Sequence, residues 1–138
     1  MRTDRRTHAR ELTMQALFQL DVQGDALLDQ LAQEFLEPEA HDAFVCRLAL
    51  DWTRGAWQQH EICDKLISES IIRWQFSRLS PVDKSILRLS VYQLRFCQDI
   101  PPKVVINEAI ELAKKYSTDK SPGFVNGVLD AVLRRNDE

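Results

Sequence analysis

The chain has 138 residues, 44% hydrophobic and 28% charged with a net charge of -3, the balance of a soluble domain able to build its own core. At this length about two thirds of the unfolded surface can be buried, so neither disulfides nor a structural metal is required for folding. No apolar run reaches the length of a membrane span and no signal-peptide core follows the charged start, while the odd, widely spaced Cys46, Cys63 and Cys97 suit free thiols in a reducing cytoplasm.

Only four glycines and five prolines occur, and the apolar residues recur at three- and four-residue spacing, so the whole chain reads as helical with no convincing strand. Ala9, Leu12, Ala16, Leu17 and Leu20 make one face of a first helix that fades near Gln23-Gly24. A second runs from about Asp25, with Leu27, Leu28, Leu31, Ala32, Phe35 and Leu36 inward, until Pro38 stops it. The third aligns Val45, Leu48, Trp52 and Ala56, and Gly55 bends it or admits a close neighbour. Ile62, Cys63, Leu66, Ile67 and Ile71 form a fourth that ends near Ser77-Arg78.

The remaining starts are better marked. Ser80-Pro81-Val82-Asp83 supplies a capping hydroxyl, a proline at the first helical position and a carboxylate at the third. The helix it opens carries Val82, Ile86, Leu87, Leu89, Val91, Leu94 and Phe96 and leaves only a narrow polar stripe of Lys84, Arg88 and Arg95, the pattern of a central helix. Pro101-Pro102 launches the next, which buries Val105, Ile106, Ala109, Leu112, Ala113 and Tyr116 and pairs Glu111 with Lys115 on its wet side. Ser121-Pro122 opens the last, where Phe124, Val128, Ala131 and Val132 form a stripe, Gly127 permits tight helix contact, and Arg134 and Arg135 meet the negative end of the dipole. Seven helices on short linkers predict an all-α fold, which by itself names no activity.

Charge is unevenly distributed. Residues 1–19 hold four arginines against Asp4 and Glu11, residues 20–72 hold three basic against eleven acidic groups, and residues 73–120 hold nine basic against five acidic. Such a split predicts a basic side for an anionic partner and an acidic side for something else. Arg2, Arg5, Arg6 and Arg10 sit at or before the first helical turn, where the dipole disfavours cations by about 0.3–1 kcal/mol each. Arg2, Arg5 and Arg6 project toward the side of Ala9, Leu12 and Ala16, so this stretch extends past the packed core or is unwound, and the arginines are available. Arginine's flat fork fits phosphate oxygens and stacks on bases, so the arm is a candidate RNA contact, with a solvated terminus as the plain alternative.

Other chemistry is poorly supported. His60, Cys63 and Asp64 share a helical face, yet no CxxC, HExxH or fourth ligand accompanies them. There is no nucleophile elbow or glycine-rich phosphate loop, and Gly123-Phe124-Val125-Asn126-Gly127 follows no strand, so the chain reads as non-enzymatic. Trp52, Trp57 and Trp74 fit core or interface anchors. Asn107 and Asn126, set in apolar helices, are expected to bridge a loop or helix end inside the core, with an RNA contact left open for Asn126.

Four blocks resemble one known family: Ala9-Arg10-Glu11 with Gln15-Ala16-Leu17; Asp83 with Ile86-Leu87-Arg88; Val105-Ile106-Asn107-Glu108-Ala109-Ile110-Glu111-Leu112-Ala113-Lys114; and Phe124-Val125-Asn126-Gly127-Val128-Leu129-Asp130. In this order and spacing they resemble the transcription antitermination factors of the NusB family, over nearly the whole chain except the acidic stretch 24–60. The resemblance implies about seven helices in two small bundles packed across each other, forming one RNA-binding domain over residues 1–138 with an arginine-rich arm at about 1–10. It also implies a non-catalytic, cofactor-free adaptor. With NusE, a small-subunit ribosomal protein, such factors hold the single-stranded boxA element of nascent ribosomal RNA leaders. They join other Nus factors on RNA polymerase and suppress premature termination.

Carried over by position, the arm falls on Arg5, Arg6 and Arg10 with Arg2 as an addition; Thr7 and His8 interrupt a run that is denser in relatives. Phe18 and Phe124 are then candidate base-stacking residues, with core packing as the competing use, and the amides beside Ser121 are a candidate phosphate seat. The acidic segment is a candidate surface for the basic NusE. Two alternatives stay open: the helical RNA-binding part of a ribosomal RNA cytosine methyltransferase, for whose methyl-donor fold 138 residues leave no room, and a protein-interaction module that never touches RNA.

Overall fold

Short polar residues set the helix starts in this computed structural model, which describes residues 4–36, 42–71 and 76–135, with the side chains of residues 35 and 36 not described. Arg2, Pro38 and Trp74, and the inward placement expected of Phe35 and Leu36, lie outside what is described. Asp4 caps α1 (Arg5–Gln23), its carboxylate accepting from the amide of Arg6 at 2.8 Å. Gly24 ends it at φ 85°, in the left-handed region that favours glycine. Asp42 caps α3 (Ala43–Gln58) through the amides of Phe44 and Val45. Ser80 caps α5 (Pro81–Phe96) by accepting from the Asp83 amide, as the sequence predicts. The set is completed by α2 (Leu27–Leu36), α4 (His60–Ser70), α6 (Pro102–Tyr116) and α7 (Ser121–Arg135), with a short 3-10 turn at Phe76–Arg78. The fourth helix therefore stops at Ser70, where Ile71 turns extended, earlier than the expected end near Ser77-Arg78.

The seven α-helices, with no strand among the described residues, form two bundles that share α5. The first joins α1, α2 and α3; the second joins α4, α5, α6 and α7; and α5 packs on α1 and α3 as well. Ile86, Leu87, Leu89 and Val91 of α5 are fully or almost fully buried, in contact with a core that includes Leu17, Leu20, Ile67, Val105 and Leu129. Burying one such side chain stabilises by about 1.5–3 kcal/mol, so the shared helix couples the folding of both bundles. Gly55 does admit a close neighbour: a Cβ there would stand 2.0 Å from the Tyr92 hydroxyl oxygen.

Several expected placements are corrected. Ile62 and Phe96 face outward, and Gly127 is exposed with no neighbour near a would-be Cβ. Arg88 is buried and forked onto Asp64 at 2.8 and 2.9 Å, with Asp21 accepting a further bond at 2.7 Å, which ties α5 to α4 and to the end of α1. Lys115 reaches Glu11 of α1 at 2.7 Å, leaving Glu111 to pair with Lys114. No helix among the described residues is long and apolar enough to cross a membrane.

Candidate nucleic-acid interface

The helix begins at Arg5, so the described part of the arm is neither unwound nor detached. Its first two guanidinium groups gather around one ring. Arg5 lies 4.3 Å and Arg6 5.7 Å from the centroid of Phe44, itself exposed at the start of α3. Arg5 also donates to Asp42 at 2.8 Å, holding that carboxyl below the usual carboxylate range. With side chains 57% and 47% exposed, this pair sits in a setting where ion pairs contribute little, and either partner can be exchanged.

Arg10 behaves differently: against the expectation that every arginine of the arm is available, it is buried in the fold. It is only 3% exposed, lies over the Trp52 ring at 5.1 Å, donates from Nε to Gln93 at 3.3 Å and faces Glu108 at 3.6 Å. Burial pulls its proton affinity down while Glu108 works against that shift. Thr7 donates to the same Glu108 at 2.8 Å, so one carboxylate of α6 seats the first turns of α1. Above these groups opens a cleft of about 520 Å³ lined by Arg6, Arg10, Phe44, Leu48, Trp52 and Glu108, among others. It joins cationic and aromatic surface, the pair of properties that holds phosphate and an unstacked base, with the carboxylates of Asp4, Asp99 and Glu108 also on its walls.

A second cleft, of about 380 Å³, lies at the start of α7 between Arg78, Leu79, Ser80, Lys120, Ser121 and Phe124. Phe124 is half-buried along it. Ser121 is buried, and its hydroxyl belongs to a closed network: Asp83 accepts from Ser117 at 2.7 Å and from Ser121 at 3.1 Å, with Thr118 beside them. The free amides expected there are also fewer. The Ser121 N–H donates to the Thr118 carbonyl at 3.0 Å, Pro122 has none to give, and Phe124 donates to Lys120 at 3.2 Å. Asp83 thus ties the ends of three helices together, a role its capping position did not disclose.

The candidate residues are not all brought together. The two clefts share no lining residue, and Phe18, 36% exposed, stands about 20 Å along the α1 axis from Arg5. Asn107 and Asn126 are both exposed, against the expectation of buried bridges. Sequence reading overlooked Phe44 and Asp42; the signal was present, since Phe44 falls outside the Val45, Leu48, Trp52 stripe and Asp42 precedes it as a cap. His60 stacks on Trp57 with centroids 4.4 Å apart, Cys63 is buried with its thiol pushed up to about 12 by burial, and Asp64 is taken by Arg88.

The model of the NusB family matches residues 7–134. The transcription antitermination protein NusB of Anaeromyxobacter dehalogenans strain 2CP-1 is 44% identical over 130 residues, 94% of this chain and 91% of the relative. That of Bacillus subtilis strain 168 is 39% identical over 128 residues, covering 93% and 94%. Among solved structures, NusB of T. maritima superposes with a TM-score of 0.82 at 38% identity over 97% of this chain and 93% of that one. A crystal structure of the antitermination factors NusB and NusE in complex with dsRNA gives a TM-score of 0.80 at 27% identity, covering 95% and 97%.

Proposed function

The chain belongs to the NusB family, and from that membership we infer that it is a non-catalytic transcription antitermination factor that binds RNA together with NusE. It works within the larger assembly of Nus factors on RNA polymerase. Its RNA is a boxA-type single strand of the ribosomal leader, and its compartment is the cytoplasm. Residues 1–138 act as one RNA-binding domain.

The observation that carries this reading is the grouping of Arg5 and Arg6 on the exposed Phe44 ring at the rim of the first cleft. Guanidinium forks meet phosphates, and the cleft beneath takes a base. Arg10 serves from the floor, where it shapes the cleft and adds charge, and Arg2 extends the grip beyond the described residues. Phe124, with Lys120 and Arg78 around it, offers a second stacking position in which Ser121 fixes the helix start. Phe18 is a third aromatic stop on the strand's path. The basic NusE is matched by exposed carboxylates of the acidic segment, among them Asp29 and Asp51.

The test is a titration of the chain, alone and with the small-subunit ribosomal protein, on a boxA-containing leader oligonucleotide at several salt concentrations. Arg5→Ala with Arg6→Ala weakens binding and lowers the log-log salt slope by about 0.7 for each phosphate no longer neutralised. Unchanged affinity and slope contradict the assignment of the arm.

A further inference from the structure

Asp42 occupies an unusual position for a helix cap. One oxygen of its carboxylate accepts from the amides of Phe44 at 2.8 Å and Val45 at 3.3 Å, and the same oxygen accepts from Arg5 at 2.8 Å. Capping alone does not require a charge, because asparagine caps about as well as aspartate. The charge is therefore spent on Arg5, which Phe44 holds from its ring face. Among the described residues no other carboxylate bonds Arg5, and Arg6 on the same ring bonds none through its side chain.

We propose that Asp42 tunes the arm: it is a resident anion that keeps Arg5 folded back on the Phe44 shelf, and RNA binding exchanges that carboxylate for a phosphate. This rests on the reading of the arm as an RNA grip. A lone solvated carboxylate on a partner protein offers Arg5 nothing better than Asp42 does. A strand of phosphodiesters, which releases condensed counterions as it binds, displaces Asp42 with help from the neighbouring contacts. The exposed pair thus selects polyanionic strands over isolated acidic side chains, and Phe44 keeps the released guanidinium at the mouth of the cleft.

The experiment is a fluorescence anisotropy titration of a labelled boxA-type single-stranded RNA, with the ribosomal partner present, at two salt concentrations. Wild type is compared with Asp42→Asn, Asp42→Ser, Arg5→Ala and the double variant Arg5→Ala with Asp42→Asn. Asparagine and serine both keep a cap, and circular dichroism confirms the fold. Asp42→Asn and Asp42→Ser bind RNA about two- to fivefold tighter than wild type, the range of an exposed ion pair removed as a competitor. The gain disappears in the double variant, which binds like Arg5→Ala. An equal gain in the Arg5→Ala background overturns the proposal, since it marks a general charge effect, and so does the absence of any gain while wild type binds. If wild type itself binds no RNA, the reading of the arm fails, and the proposal fails with it.

Discussion

The two ends of α1 use arginine in opposite ways. At its last turns Asp21 meets Arg88, which is buried and forked between two carboxylates. At its first turn Arg5 meets an exposed carboxylate and Arg6 rests on a ring. The difference lies in what surrounds each guanidinium: where carboxylates converge from separate helices the cation becomes a fixed joint, and where they do not it stays exchangeable. For Arg88, burial works against the charge, but the bonds it donates to Asp64 and Asp21 outweigh it and its proton affinity rises. For Arg10, as buried as Arg88 but facing a single carboxylate at 3.6 Å, burial wins and the proton affinity falls. The carboxylates gathered around each guanidinium, and the depth at which they sit, therefore separate structural arginines from those free to meet a partner.

Breaking the joint gives the largest expected effect. Arg88→Met strips Asp64 and Asp21 of their cation and lowers unfolding free energy by about 3 kcal/mol, measured by denaturant titration. Arg10→Met costs less, about 1–2 kcal/mol, because Glu108 stands farther off and keeps its bond from Thr7. The same variant alters RNA affinity through the cleft floor.

Next comes Glu11, whose burial favours the neutral acid but whose bonds from Lys115 and Tyr116 prevail and hold the carboxyl below its ordinary 4.5. A depressed folded pKa means the stabilisation is complete above the unfolded value and is lost as pH falls through the folded one. Glu11→Gln therefore costs about 1 kcal/mol near neutrality, and the gap to wild type closes below pH 4.5 in thermal melts across an acid series. Smallest of all, Arg5→Ala with Arg6→Ala shifts stability by no more than about 0.5 kcal/mol while weakening RNA binding. A large loss of stability in that variant would erase the contrast between the two ends.

The sequence discloses what depends on neighbours in the chain and conceals what depends on distant ones. The start of α5 is legible because cap, proline and carboxylate lie within four positions. The role of Arg88 is not, because its carboxylates come from Asp21 and Asp64, 67 and 24 residues away. Spacing pairs Glu111 with Lys115, but the fold brings Glu11 across from α1 and takes Lys115 for itself. Helical periodicity likewise places Ile62 inward, yet only the arrangement of neighbouring helices decides which apolar residues at the margin are covered. For the candidate site, Arg5 and Arg6 are readable as cations with no local stabilising purpose. Arg10 and Ser121 are not readable as buried, because Gln93, Glu108 and Asp83 lie on other helices.

The central claim is that this exposed end of α1, with Phe44 beside it, is where the transcript is gripped. Ultraviolet crosslinking of the chain and its ribosomal partner to a boxA oligonucleotide, with the labelled peptides sequenced, tests it most directly. Label is expected on peptides holding Arg5, Arg6 and Phe44, and on the one holding Phe124. Crosslinks confined to the acidic α2 and α4, with none at either cleft, would contradict it.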